Sequence, residues 1–402
     1  MAKRVVITGA GTVNALGHSV AETFHAFRNG FCGIGPLDIA DVDRLQARIG
    51  AQVKNWSAED RFSTREKALY DRVTQFTVEA ARQAVIQSGL NFSDADLTGS
   101  GAILGTAGGG LETIDDNYRT VYAEGKNRVP PLVVPRLMHN AGASHLSMIY
   151  GLHGPSFTVS SACASSNHAM SLAFQLVRSG AAPAMLTGGA DAMLCFGGLK
   201  AWEGLRVMSS EACRPFSIGR SGLVQGEGAA VYVFEERDKA LARGAMILAE
   251  VIGASMCADA KDIVMPSFEG AVAAMNLALF DAGISPEDVG YINAHGTGTA
   301  ANDRVESAAI SEVFKAGPPP VSATKSMHGH VIGGTGAIEL LACLLALNEG
   351  VLPPTIGWQG QDPDCLRDVV ANTARSAEVT VAMSNAFAFG GLSSVLILRK
   401  SS

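Results

Sequence analysis

Three stretches of this chain bring together residue types that do acyl chemistry. Residues 159–166 read Val-Ser-Ser-Ala-Cys-Ala-Ser-Ser, residues 293–299 read Asn-Ala-His-Gly-Thr-Gly-Thr, and residues 324–330 read Thr-Lys-Ser-Met-His-Gly-His. The first runs from an apolar, β-branched segment through small residues into a helical pattern, Ala164 to Val177. That places Cys163 at the start of a helix, where unpaired N–H groups and the dipole favour thiolate. The competing reading is a buried structural cysteine. His295 ends a strand pattern in a glycine- and threonine-rich loop, a setting suited to function rather than to a core. One thiol and two imidazoles on separate loops suit thioester chemistry, with the sulfur accepting an acyl group and the imidazoles donating N–H or acting as a base. His328 and His330 together with His295 also suggest a metal site. No local carboxylate or cysteine completes a known ligand spacing for it. A fourth stretch, Ser384 to Gly391, ends in a Gly-Gly turn whose N–H groups are able to face a ligand.

The elements that must position these loops are those of an α/β protein. Strand patterns fall at Val5–Thr8, Ala102–Gly105, Ala184–Thr187 and Val231–Phe234. They recur at Ile247–Val251, Tyr291–Asn293, Pro320–Ser322, Val379–Met383 and Val395–Leu398. Helical patterns cover Leu69–Ser88, Ala271–Ala282 and Gly336–Leu347. The second pass, from about Met246, repeats the order of the first and suggests a duplicated unit. The stretch from about 195 to 225 reads as irregular. Gly9-Ala10-Gly11 resembles the start of a dinucleotide fingerprint, but Asn14 replaces its third glycine, so a tight turn is the expectation.

Composition sets bounds. The 402 residues are 47% hydrophobic and 17% charged with 45 glycines, as in a compact α/β enzyme. A formal net charge of −7 gives no footprint for nucleic acid. Seven cysteines with no C-x-x-C argue against a disulfide framework and for a reducing, cytoplasmic setting. The greasiest segment, Ala337 to Leu347, contains Glu339 and is shorter than the roughly 20 residues of a membrane span. The N-terminus lacks the apolar core of a signal peptide.

The order and spacing of the motifs at Cys163, His295, Thr324–His330 and Asn385–Gly391 resemble the β-ketoacyl-acyl carrier protein synthases of the elongating type II class. Cys213-Arg214-Pro215-Phe216-Ser217 and Gln225-Gly226-Glu227-Gly228 add a resemblance to the nodulation-type and polyene-polyketide ketosynthases. The resemblance implies the thiolase fold: duplicated halves, 1–240 and 241–402, in a five-layer α-β-α-β-α arrangement. It implies Cys163 as the nucleophile that carries an acyl chain. His295 and His330 would support decarboxylation of a malonyl unit. The N–H groups of Cys163 and Phe389 would form an oxyanion hole, with Phe389 as a gate. Lys325 would lie near the histidines with Glu306 as its ion-pair partner. Thr297, Thr299, Gly108, Val133 and Phe387 would contact the substrate. The only prosthetic arm implied is the phosphopantetheine of an acyl carrier protein, with no metal and no other cofactor. The implied partners are that carrier protein and a second subunit, either another copy or a chain length factor, with no nucleic acid and no membrane.

Departures from the family pattern carry their own expectations. Ala388 stands where glycine is usual and Leu392-Ser393 follows the glycine pair in place of Thr-Asn, which implies a gating loop that moves differently, since Ala resists φ values that Gly accepts. Val264-Met265 replaces hydroxyl residues. Gly108 and Val133 stand where bulkier residues are usual, which implies an enlarged pocket for a long, rigid or branched acyl chain. Arg61, Arg65, Lys67 and Arg72 form a candidate carrier-protein contact, set against a plain solvated helix face. Two alternatives remain at this point: a silent chain-length-factor-like subunit, which would lack the nucleophile, and a coenzyme A thiolase, which would carry a second catalytic cysteine in its C-terminal turn.

Overall fold

The computed structural model describes residues 2–401. Ten strands form one sheet. In chain order they are β1 (Val5–Asn14), β2 (Gly101–Gly105), β3 (Ser156–Val159), β4 (Ala184–Ala192) and β5 (Glu227–Glu236), then β6 (Ala249–Ala258), β7 (Tyr291–Asn293), β8 (Val321–Ser322), β9 (Val381–Phe387) and β10 (Leu392–Arg399). Their spatial order is β8-β7-β9-β10-β6-β1-β5-β4-β2-β3.

That order contains the same unit twice. In the first half β2 pairs parallel with β3 and β4, β4 pairs antiparallel with β5, and β5 pairs antiparallel with β1. In the second half β7 pairs parallel with β8 and β9, β9 pairs antiparallel with β10, and β10 pairs antiparallel with β6. Antiparallel pairing of β1 with β6 joins the halves.

Six helices position the site: α1 (Arg72–Ser88), α2 (Ser165–Ser179), α3 (Phe196–Gly204), α4 (Phe268–Ala282), α5 (Ala300–Val313) and α6 (Thr335–Glu349). Helices α2 and α6 lie between the halves and touch strands of both, while α1 covers the first half and α4 and α5 the second. This gives the α-β-α-β-α layering. The position of α6 explains its sequence. Every residue from Thr335 to Leu347 is buried, and a helix enclosed on all sides is apolar on all sides. The nearest approach to a membrane-spanning helix, Ile332–Glu349, is this core helix.

Two expectations are corrected. No turn forms at Gly9–Gly11, because β1 continues to Asn14. A Cβ at Gly9 or Gly11 would stand 2.0 Å from a carbonyl oxygen of α1, so the glycines let helix and strand pack closely. The stretch after residue 195 is not wholly irregular, since α3 forms there.

Candidate active site

Cys163 follows β3 in a tight turn. Ala162 has φ +48, a left-handed conformation uncommon for a residue with a Cβ. Ser165 holds this turn, accepting from the Ser161 N–H at 2.9 Å and donating to the Ala162 carbonyl at 2.7 Å. The first helical residue of α2 is Ser165, so Cys163 lies just ahead of the helix rather than in its first turn. The thiol is buried, and burial pushes it up to about 12, against the pull of Lys325 and of the Phe389 and Cys163 N–H groups. The thiolate expected from a helix terminus is therefore not the resting form.

His330 Nε2 stands 3.2 Å from Cys163 Sγ. Its backbone is fixed on both sides: the His330 N–H donates to Val224 and the Gly226 N–H donates to the His330 carbonyl. Nδ1 accepts from the Ile332 N–H at 3.2 Å and lies 2.9 Å from Thr335 Oγ1. The His295 ring crosses that of His330 at 81°, with centroids 5.6 Å apart. Cys163 Sγ and one ring nitrogen from each histidine lie within 4.8 Å of one another. Burial and the Lys325 ammonium hold both imidazoles well below their ordinary range, so both are neutral. His328 points away, with Nε2 3.0 Å from Thr324 Oγ1 and its ring near Phe27, so the three-histidine arrangement does not form.

Lys325 and Glu306 both come to this site, but not as a pair. Lys325 Nζ donates to Glu339 Oε1 at 2.7 Å and to the His295 carbonyl. Glu306 instead accepts from the N–H groups of His295 at 2.8 Å and Gly296 at 2.7 Å, fixing the histidine loop. The reason is direction: α6 enters beside Lys325 and projects Glu339, whereas Glu306 on α5 faces the backbone after β7. Glu339 was visible in the sequence only as a lone acid in an apolar run.

Cys163, His295, Glu306 and His330 line a cleft together with Thr297, Thr299, Phe387 and Phe389. The Thr297 and Thr299 hydroxyls lie 2.9 Å apart. Phe387 meets the His295 ring edge to face at 6.2 Å. Phe389 opens a short turn in which Gly390 and Gly391 have φ +82 and +69. Ala388 has φ −109, which any residue adopts, so alanine is unstrained there in this conformation. Trp202 of α3, which no sequence motif marked, stacks on Phe389 at 5.9 Å and 22°.

Gly108 and Val133 do not line this cleft. A Cβ at Gly108 would stand 2.8 Å from Met193 Sδ, so Met193 already fills the space expected to be empty. Val133 is buried. Of the basic set, Arg61 pairs with Glu79, Lys67 with Glu59 and Arg72 with Glu227, which leaves only Arg65 of the four without an ion-pair partner among the described residues.

A buried sulfur, two neutral imidazoles and backbone N–H donors at the base of a mostly apolar cleft define an acyl-thioester condensing centre, here carried on a duplicated α/β fold. Residues 2–240 match the Beta-ketoacyl synthase N-terminal domain, and residues 248–359 match its C-terminal domain. The chain belongs to the β-ketoacyl synthase family and is an acyltransferase of the ketosynthase kind. It is 45% identical to Nodulation protein E of Rhizobium sp. (strain N33), with 100% of both chains covered. It is 37% identical to 3-oxoacyl-[acyl-carrier-protein] synthase 2 of Staphylococcus aureus (strain N315), covering 99% of this chain and 98% of the relative. The solved structure of the ishigamide ketosynthase/chain length factor superposes with a TM-score of 0.96 at 34% identity, covering 100% of both chains. A type II polyketide ketosynthase complexed with its acyl-carrier protein, AntDE:AntF, superposes with a TM-score of 0.91 at 30% identity, again covering 100% of both.

Proposed function

We propose that this chain extends an acyl group held on an acyl carrier protein by two carbons, using malonyl on a carrier protein as the donor. The observation that carries this reading is the placement of Cys163 Sγ 3.2 Å from His330 Nε2, with His295 completing the cluster. Cys163 sulfur attacks the incoming thioester carbonyl. The new C–S bond forms, the old one breaks, and the sulfur's proton ends on the departing pantetheine thiol. The N–H groups of Cys163 and Phe389 hold the intermediate oxyanion; such a donor contributes about 10²–10³ in rate.

Malonyl then loses CO2, leaving its electron pair in an enolate. Its oxygen takes N–H donation from His330 Nε2 and from His295. The enolate carbon attacks the acyl-cysteine and expels sulfur, which regains a proton from water. Thr297 and Thr299 offer hydroxyls to the polar pantetheine arm. The neutral state of both imidazoles supports a donor role, since a neutral ring presents its N–H without a charge to desolvate.

Pairing with a second ketosynthase-fold subunit accounts for the exposed β3 edge. Phe157 on it is 42% exposed, and Tyr122 and Val134, within the β2–β3 connection, are 80% and 62% exposed. A homodimer and a chain-length-factor heterodimer both fit this face. Seven free cysteines suit a reducing compartment.

The test is intact-mass spectrometry after incubation with acyl carrier proteins bearing different chains. Wild type is expected to gain one acyl mass and Cys163→Ala none. An adduct retained by Cys163→Ala would overturn the assignment.

A further inference from the structure

Asp191 is the penultimate residue of β4, fully buried and outside the lining of the cleft. Every group its carboxylate meets is a donor: Thr106 Oγ1 at 2.6 Å, the Gly108 N–H at 2.9 Å, the Ala107 N–H at 3.0 Å and the Gly333 N–H at 2.7 Å. An ionised carboxylate, which only accepts, satisfies such a shell.

The last of these bonds reaches toward the reacting sulfur. Gly333 follows Ile332, which has φ +47, a left-handed conformation that a β-branched side chain resists. A Cβ at Gly333 would stand 2.5 Å from the Ala107 nitrogen and 2.8 Å from Asp191 Oδ2, so bare backbone passes between them. Held in this turn, the Ile332 N–H faces His330 Nδ1 at 3.2 Å. A ring nitrogen that accepts an N–H carries no proton, so the neutral ring bears its proton on Nε2, the atom 3.2 Å from Cys163 Sγ.

We infer that Asp191 is a positioning residue for His330: by anchoring the Gly333 N–H it keeps Ile332 in its left-handed turn, and that turn fixes His330 in the Nε2–H tautomer. The inference rests on the reading of His330 as an Nε2–H donor. It assigns a task to a buried acid that touches neither the cleft nor the substrate.

Nitrogen chemical shifts in the full-length protein labelled with 15N-histidine report which ring nitrogen holds the proton, with His330→Ala supplying the assignment. Wild type is expected to be Nε2–H. Asp191→Asn places an NH2 among donors and is expected to admix the Nδ1–H form. It should also lower malonyl decarboxylation by about 10- to 100-fold, as loss of a partner that orients an active histidine does. Glycine adopts the left-handed turn unaided, so Ile332→Gly added to Asp191→Asn is expected to restore both the Nε2–H signal and the rate to the level of Ile332→Gly alone. A wholly structural role for Asp191 would not be rescued in this way.

A wild-type ring protonated on Nδ1 would overturn the donor reading and the inference with it. A wild-type Nε2–H ring left unchanged by Asp191→Asn would overturn the inference alone. If Asp191→Asn does not fold, the double variant decides: folding with the Nε2–H signal supports the inference, and folding with Nδ1–H overturns it.

Discussion

The two sides of the cleft are built on opposite principles. On one side stand His295, Glu306, Lys325, His330 and Glu339, each no more than 3% exposed, tied to backbone or to one another. On the other stands the mouth, where Val264 and Met265 are 39% and 59% exposed. Its segment is joined to the Phe389 turn by two backbone hydrogen bonds, from the Gly390 N–H to the Ile263 carbonyl at 2.8 Å and from the Asp259 N–H to the Gly391 carbonyl at 3.0 Å. The inner wall presents fixed dipoles where charge develops, which is where preorganisation contributes most. The mouth is apolar and lightly held, as the low-stability end of a fold must be if it is to admit a chain. Cys163 lies on the boundary, with its sulfur 3.2 Å from His330 Nε2 and also drawn on by the Phe389 N–H.

Each side can be probed separately. The largest expected effect concerns the sulfur. With the thiol pushed up to about 12, alkylation of Cys163 in the free protein is expected to rise about tenfold per pH unit from pH 7 to 10, because the thiolate fraction grows in that proportion. Peptide mapping after timed iodoacetamide treatment measures it. A plateau near pH 7 would mean that the wall's donors outweigh burial.

Next comes the wall itself. Glu339→Ala strips the partner from a fully buried Lys325 and is expected to cost about 3–5 kcal/mol in urea unfolding. Met265→Ser at the mouth is expected to change stability by less than about 0.5 kcal/mol. Equal effects would erase the contrast between the two sides. The smallest effect concerns the gate. An aromatic pair contributes about 0.5–1.5 kcal/mol, so Trp202→Ala is expected to free Phe389, change the acylation rate by about two- to tenfold and lower unfolding stability by about 0.5–1.5 kcal/mol.

What the sequence made legible follows the same division. Cys163, His295 and His330 stood out because small and glycine residues surround them, and catalytic loops need that space. The repeat of strand and helix order was readable because each pass must rebuild the same layers. The partner of Lys325 was not readable. Glu306 and Glu339 are both within reach along the chain, and only the direction in which α6 enters the core selects between them. Gly9 and Gly11 misled because close helix packing and a tight turn ask for the same residue. Gly108 misled because the side chain that fills its space, Met193, comes from beyond the end of β4, distant in sequence. Trp202 gave no local signal, since its importance lies in what it stacks upon.

The most direct test of the account separates the two half-reactions. Rapid quenching would follow acyl transfer to Cys163 and CO2 release from malonyl carrier protein in wild type, His295→Ala and His330→Ala. If the two histidines serve as neutral donors to the enolate, both variants will still form acyl-enzyme while CO2 release falls by about 10²–10³, the loss expected for one preorganised donor. Undiminished CO2 release in either variant, with acyl transfer abolished instead, would contradict the account.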